Sequence, residues 1–214
     1  MLEKLPDAVG HALRDARAGL ENIAYNLIDL RAGTAALTVS SMAFHDHESI
    51  PERYTADGKG SSPPLQWTGI PAGAGSLIVM VEDADAPMPN PLVHAIACGI
   101  APIDGALAEG ALEDEEHAPE GVVIGRNSFL LTGWLPPDPP PGHGLHRYAF
   151  QVFALMPGAD LSGTPGRDAV LQAIAQFGIG SGCLIGTYER PDTTITEGIG
   201  NTANAGGRVD MTAA

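Results

Sequence analysis

Gly133-Trp-Leu-Pro-Pro-Asp-Pro-Pro-Pro-Gly-His-Gly-Leu-His-Arg-Tyr148 is the stretch from which the chain is best read. Its five prolines fix φ and remove amide donors, so it is neither helix nor central strand. It runs directly into the apolar segment 149–156. A stiff loop therefore delivers His146, Arg147 and Tyr148 onto the start of a strand. His146 and Tyr148, two apart, share one face of it. Polar groups set by a rigid loop on a regular element are the material of a binding site.

Outward from this loop the pattern is mostly β. Residues 76–81 form an apolar run that reads as a strand buried on both faces, ending abruptly in Glu82-Asp83-Ala84-Asp85-Ala86-Pro87. Carboxylates at the end of a buried strand are costly unless hydrogen-bonded. Residues 92–100 form the next strand, and period two places His94 on the face of Leu92, Ile96 and Cys98. Shorter strands are expected at 37–44, 65–67 and 122–124, with further ones at 148–156 and 181–189. A helix is expected at 167–177, where Val170, Leu171, Ile174 and Phe177 keep helical spacing and Gly178 stops it. The 27 glycines and 18 prolines supply the turns of a β-rich body.

Residues 1–32 read differently. Val9, Leu13, Ala16, Leu20, Ile23, Leu27 and Leu30 recur at alternating spacings of four and three, a heptad seam. The spacing predicts one amphipathic helix from Pro6 to Arg31, roughly 39 Å long at 1.5 Å per residue. It would serve either to pack on its own domain or to join two copies as a homodimer. Residues 191–214, rich in Thr, Asn, Gly and Ala, read as a tail. The expected organisation is thus an extension over 1–33, a domain over 34–190 and a tail over 191–214.

The net charge of −15, with two lysines against nine arginines, disfavours nucleic acid and anionic lipid surfaces as partners. No apolar run reaches membrane-spanning length, so no membrane insertion is expected, and no leader is evident. Cys98 and Cys183 lie in apolar runs and read as free thiols, which fits a cytoplasmic protein. His45 and His47 sit in a polar loop and read as surface; neither metal nor cofactor is expected. The acidic run at Glu113–Glu116 reads as a solvated face. No phosphate-binding glycine loop and no nucleophile elbow occur.

Four stretches together carry a resemblance: Ser62-Pro63-Pro64-Leu65-Gln66-Trp67, Asp83-Ala84-Asp85-Ala86-Pro87, the pattern from Pro139 to Tyr148, and Gly186-Thr187-Tyr188-Glu189. Over residues 37–190 the chain resembles the phosphatidylethanolamine-binding, or Raf-kinase-inhibitor-like, family in its bacterial branch. The resemblance implies a mainly β (α+β) fold of two antiparallel sheets with short helices. It also implies a small cavity for phosphate or phosphorylethanolamine-like groups. By position, Asp83, His94, His146 and Tyr148 line it; Ala86 and Pro87 form its wall, with a cis peptide before Pro87. Asp138 and Pro139 lie where the loop backbone approaches the anion. The chain departs from the family pattern at Ala84, Ala95, Trp134 and Asp138. An inward Asp138 carboxylate would repel an anion. The leading expectation is a non-catalytic protein that binds a small anion. A hydrolase using Asp83, Asp85 and His94 for acid/base chemistry and a regulator of a partner kinase or protease are the alternatives.

Overall fold

A computed structural model describes residues 6–28 and 35–190. Its body is a six-stranded sheet facing a three-stranded one. The large sheet has strands β1 (Ala35–Ala36), β4 (Ser76–Asp83), β5 (Leu92–Ile100), β7 (Val123–Ile124), β8 (His146–Leu155) and β9 (Gly178–Tyr188), ordered β1-β9-β8-β4-β5-β7. The small sheet has β2 (Thr38–Ser40), β3 (Leu65–Thr68) and β6 (Gly105–Leu107), ordered β2-β3-β6. Pairing is antiparallel except at the two-residue β1 edge, which runs parallel to β9.

Strands β4 and β8 are central and buried on both faces, as their unbroken apolar runs require. Alternate side chains divide between two cores. Leu77, Val79, Val81, Phe150 and Val152 meet Val39, Leu65 and Trp67 of the small sheet. Ile78, Met80, Ile96 and Phe153 face the other way, onto Val170 and Ile174 of helix α3 (Arg167–Phe177).

The single N-terminal helix is not formed. In its place are α1 (Asp7–Ala12), a 3-10 turn (Leu20–Asn22) and α2 (Ala24–Leu27). The break is tertiary in origin. Gly19 takes φ +94°, and the amides of Ala18 and Gly19 bond the carbonyls of Ala86 and Ala84 instead of their own preceding turn. Arg17 reaches the carbonyls of Leu145 and His143 (2.7 and 3.0 Å) and the Asp85 carboxylate (2.9 Å). The expected seam is split accordingly. Ile23 is buried in the chain's own core while Leu13 and Leu27 are exposed. Leu30 lies outside the described residues, as does the expected tail.

A buried ion pair anchors this strap on the α3 face. Glu82, fully buried, accepts from Arg167 Nε (2.7 Å), the Ala24 amide (2.7 Å) and Gln151 Nε2 (2.9 Å). Nearer the Pro-rich loop, Gly10 packs so closely on Pro141 that a Cβ would stand 2.0 Å from its carbonyl oxygen. Among the described residues no helix is long and apolar enough to cross a membrane.

Candidate functional site

Three strand ends meet at one edge of the large sheet. Asp83, the last residue of β4, is in register with Tyr148 of β8 and with Leu92 of β5. One residue further in, the β4–β5 ladder slips. Val81 pairs with Ala95 and Glu82 with Val93, so His94 has no partner across the ladder. This bulge reverses the expected parity: Ile96 and Cys98 lie in the α3-side core, whereas His94 turns to the opposite face with Tyr148 and Trp134. Bulges commonly re-aim a side chain beside a site. The Pro-rich loop then locks it in place. Leu135 donates its amide to the His94 carbonyl (2.8 Å), and His94 Nδ1 donates to the Leu135 carbonyl (2.6 Å).

A cavity of about 350 Å³ opens here. Asp83, Ala86, Pro87, His94, Asp138, Pro139 and His146, each expected from the sequence, line it. Tyr148 does not. It is fully buried behind the wall, with the His94 ring edge-on at 5.2 Å and the His146 ring stacked at 6.3 Å. It lies two residues further into β8 than His146, paired with Asp83. The expected cis bond before Pro87 is also not found, since the described residues contain no cis peptide.

Much of the wall escaped the sequence reading. Phe129 and Leu131 line the cavity and remain 57% and 63% exposed. The run Phe129-Leu130-Leu131 inside a turn was the available signal. Arg190 was missed as well. It bonds Asp57 through Nη2 (2.7 Å), Asp138 through Nη1 (2.8 Å) and the Pro139 carbonyl (2.7 Å), fixing the loop from beneath. The Asp138 carboxylate thus stands at the cavity with a guanidinium beside it.

His143 is the third omission. A chain of contacts runs from Asp83 Oδ2 to His146 Nδ1 (2.7 Å), from His146 Nε2 to His143 Nδ1 (2.7 Å), and from His143 Nε2 to the Leu13 carbonyl (2.8 Å). Proton counting assigns the donors. A carbonyl only accepts, so His143 Nε2 donates to it. Burial, and after it the neighbouring His146, holds the His143 pKa below its ordinary value and keeps that ring neutral. Its Nδ1 therefore accepts from His146 Nε2. A further proton must then occupy the Asp83–His146 contact, so carboxylate and imidazole together carry no net charge.

His94 is different. Burial lowers its pKa, against the opposing pull of Asp83, and the ring is neutral. With its one proton on Nδ1, Nε2 bears a lone pair that has no partner. Burial, reinforced by Asp83, raises the Tyr148 pKa well above its usual value; the phenol keeps its proton, also unpartnered. Asp85 lies outside the wall. Burial raises its pKa, but the Arg147 and Arg17 hydrogen bonds more than offset this and hold it low. Its oxygens are 2.7 Å from Arg147 Nε and Nη2. The acid/base trio of Asp83, Asp85 and His94 is therefore not assembled on one wall. Among the described residues no group of three or more His, Cys, Asp or Glu could hold a metal ion.

The family model for phosphatidylethanolamine-binding protein matches residues 40–189, which take in both sheets except β1 and most of β2, and every residue lining the cavity. The chain belongs to the phosphatidylethanolamine-binding protein family. Among relatives, a UPF0098 protein of Methanothermobacter thermautotrophicus is 37% identical over 154 residues, covering 72% of this chain and 99% of its own. A solved homologue from Chlamydia trachomatis, CT736, is 32% identical with a TM-score of 0.65, over 73% of this chain and 99% of its own. Escherichia coli YbcL, described as a member of the mammalian family, is 27% identical with a TM-score of 0.67, over 72% and 98%. As a family member the chain has the two-sheet fold and a pocket at the strand ends. In this chain that site has a proline-built wall bearing Asp138 and an N-terminal strap that contacts His143.

Proposed function

We propose that this phosphatidylethanolamine-binding protein homologue is a non-catalytic binder of a small oxyanion head group, phosphate or phosphorylethanolamine-like. The observation that carries the reading is the His94 ring: it lines the cavity, is itself 3% exposed, and has an unpartnered Nε2. A buried polar atom without a partner is costly and marks a place prepared for a ligand atom. Beside it the Asp83–His146 pair supplies a second polar anchor. Both free cysteines have pKa values pushed up to about 12 by burial, so neither offers a thiolate nucleophile. The same head group on a phosphorylated partner protein would make the pocket regulatory. The free thiols support a reducing, cytoplasmic setting.

Titration with phosphate and with phosphorylethanolamine, followed by the side-chain signals of His94 and His146 in NMR, tests the reading. Saturable shifts of both rings are expected. Rings that stay unmoved at millimolar ligand would end it.

A further inference from the structure

We infer that the pocket selects oxyanions that carry a proton: it takes the singly protonated form of a phosphate or phosphomonoester and rejects a fully ionised dianion such as sulfate. The inference rests on the anion-pocket reading and concerns which chemical form enters.

It follows from a count of donors and acceptors around the cavity. His94 commits its one ring proton to the Leu135 carbonyl and presents a lone pair at Nε2. Asp83 and Asp138 add carboxylate oxygens to the wall. All three are acceptors. Two unpartnered donors stand near His94, the Tyr148 O–H and the Trp134 Nε1–H, but neither residue lines the cavity. On the wall itself donors are scarce for a reason built into the sequence. Pro87, Pro136, Pro139 and Pro140 line the cavity and have no amide hydrogen. The amides of Phe129 and Leu131 already donate to Asn127 Oδ1, and that of Leu135 to the His94 carbonyl. The Arg190 guanidinium is engaged with Asp57, Asp138 and the Pro139 carbonyl. The proton on His146 Nε2 is directed to His143.

An oxyanion without a proton would therefore set lone pairs against lone pairs. A phosphate monoanion brings an O–H that His94 Nε2 can accept. The groups facing His94 are Asp83 from β4, His146 and Tyr148 from β8, and Trp134 and Asp138 from the loop, Asp138 being countered by Arg190 from the end of β9. None of them offers a second cation free to receive a dianion.

The test uses the full chain and isothermal titration calorimetry with methyl phosphate and with sulfate. At about pH 8 a phosphomonoester, with a second pKa near 6, is mostly dianionic. Repeating the titration in buffers of different ionisation enthalpy gives the protons taken up. One proton per methyl phosphate is expected, with affinity falling about tenfold per pH unit above neutrality and sulfate at least about tenfold weaker than methyl phosphate. Binding of methyl phosphate without proton uptake, or sulfate binding as tightly, would overturn the protonated-ligand inference and leave the anion pocket standing. No binding of either at any pH from about 5 to 8, the range of histidine titration, would overturn both.

Discussion

Replacing Asp83 by Asn separates charge from shape at the centre of the site. Asp83 Oδ1 accepts the Asp85 amide (2.8 Å), and Oδ2 accepts His146 Nδ1 (2.7 Å). Asparagine can keep Oδ1 toward the Asp85 amide and place its NH2 toward His146. His146 then becomes a neutral ring that donates from Nε2 to His143, accepts at Nδ1, and loses the extra proton. Every contact survives, but two charge-assisted hydrogen bonds become neutral ones. Charge-assisted bonds contribute about 1.5–3 kcal/mol and neutral ones about 0.5–1.5, so Asp83→Asn should cost about 2 kcal/mol. Asp83→Ala removes both acceptors and strands a buried amide and a buried ring nitrogen. Its cost should be about 4 kcal/mol or more. Urea unfolding measures both. Nitrogen NMR of the His146 ring should change from a doubly protonated pattern to an Nε2–H tautomer in the asparagine variant. Equal costs for the two variants, or a His146 ring pattern unmoved by Asp83→Asn, would refute the proton assignment.

Other outcomes follow from the same contacts. Glu82→Ala leaves Arg167 without its carboxylate and should cost about 3–5 kcal/mol, with faster amide exchange at Ala24 and Tyr25 as the local signature. Arg17→Ala, which frees two loop carbonyls and Asp85, should cost about 1–2 kcal/mol and loosen 143–147 in hydrogen exchange without unfolding the sheets. His94 and His143 both have lowered pKa values, so below the ordinary histidine pKa of about 6.5 the unfolded chain binds more protons than the folded one. Their contribution is complete above that pH and is lost as pH falls from it toward the folded values. The urea midpoint should therefore drop between about pH 6.5 and pH 5, and less steeply in His94→Gln. Asp85, with its pKa held low, adds a separate loss only below about pH 4, seen as a second fall in the midpoint.

The main strands and the last helix were legible because their signals are local. The apolar run at 76–81 and the helical spacing through Val170 and Ile174 appear where the structure has β4 and α3. The prolines before His146 marked a loop, which the structure has there, and the offset of two placed His146 and Tyr148 on one face. The same local logic misled at the N-terminus. The heptad spacing from Val9 to Leu30 is real, yet bonds to Ala84, Ala86, His143 and Leu145, from segments about seventy to one hundred and thirty residues away, outweigh the one-helix alternative. Period two likewise placed His94 with Ile96 and Cys98, because a bulge arises from pairing with β4 and leaves no mark in β5 alone.

What the amino-acid sequence determined by itself was the inventory: the long central strands, though not the short β1 and β6, the proline loop before His146, and that Asp83, His94 and His146 stand at strand ends. Only the tertiary structure decided how these groups are protonated. That depends on partners distant in the chain: the Leu135 carbonyl for His94, the Leu13 carbonyl for His143 and Asp83 for His146. Asp138 shows the same division. In sequence it is an acid in a wall expected to meet an anion; in the fold it is tied to Arg190, which arrives from the far end of the domain. A hydrogen bond requires both partners in place, and long-range pairing is what brings them there.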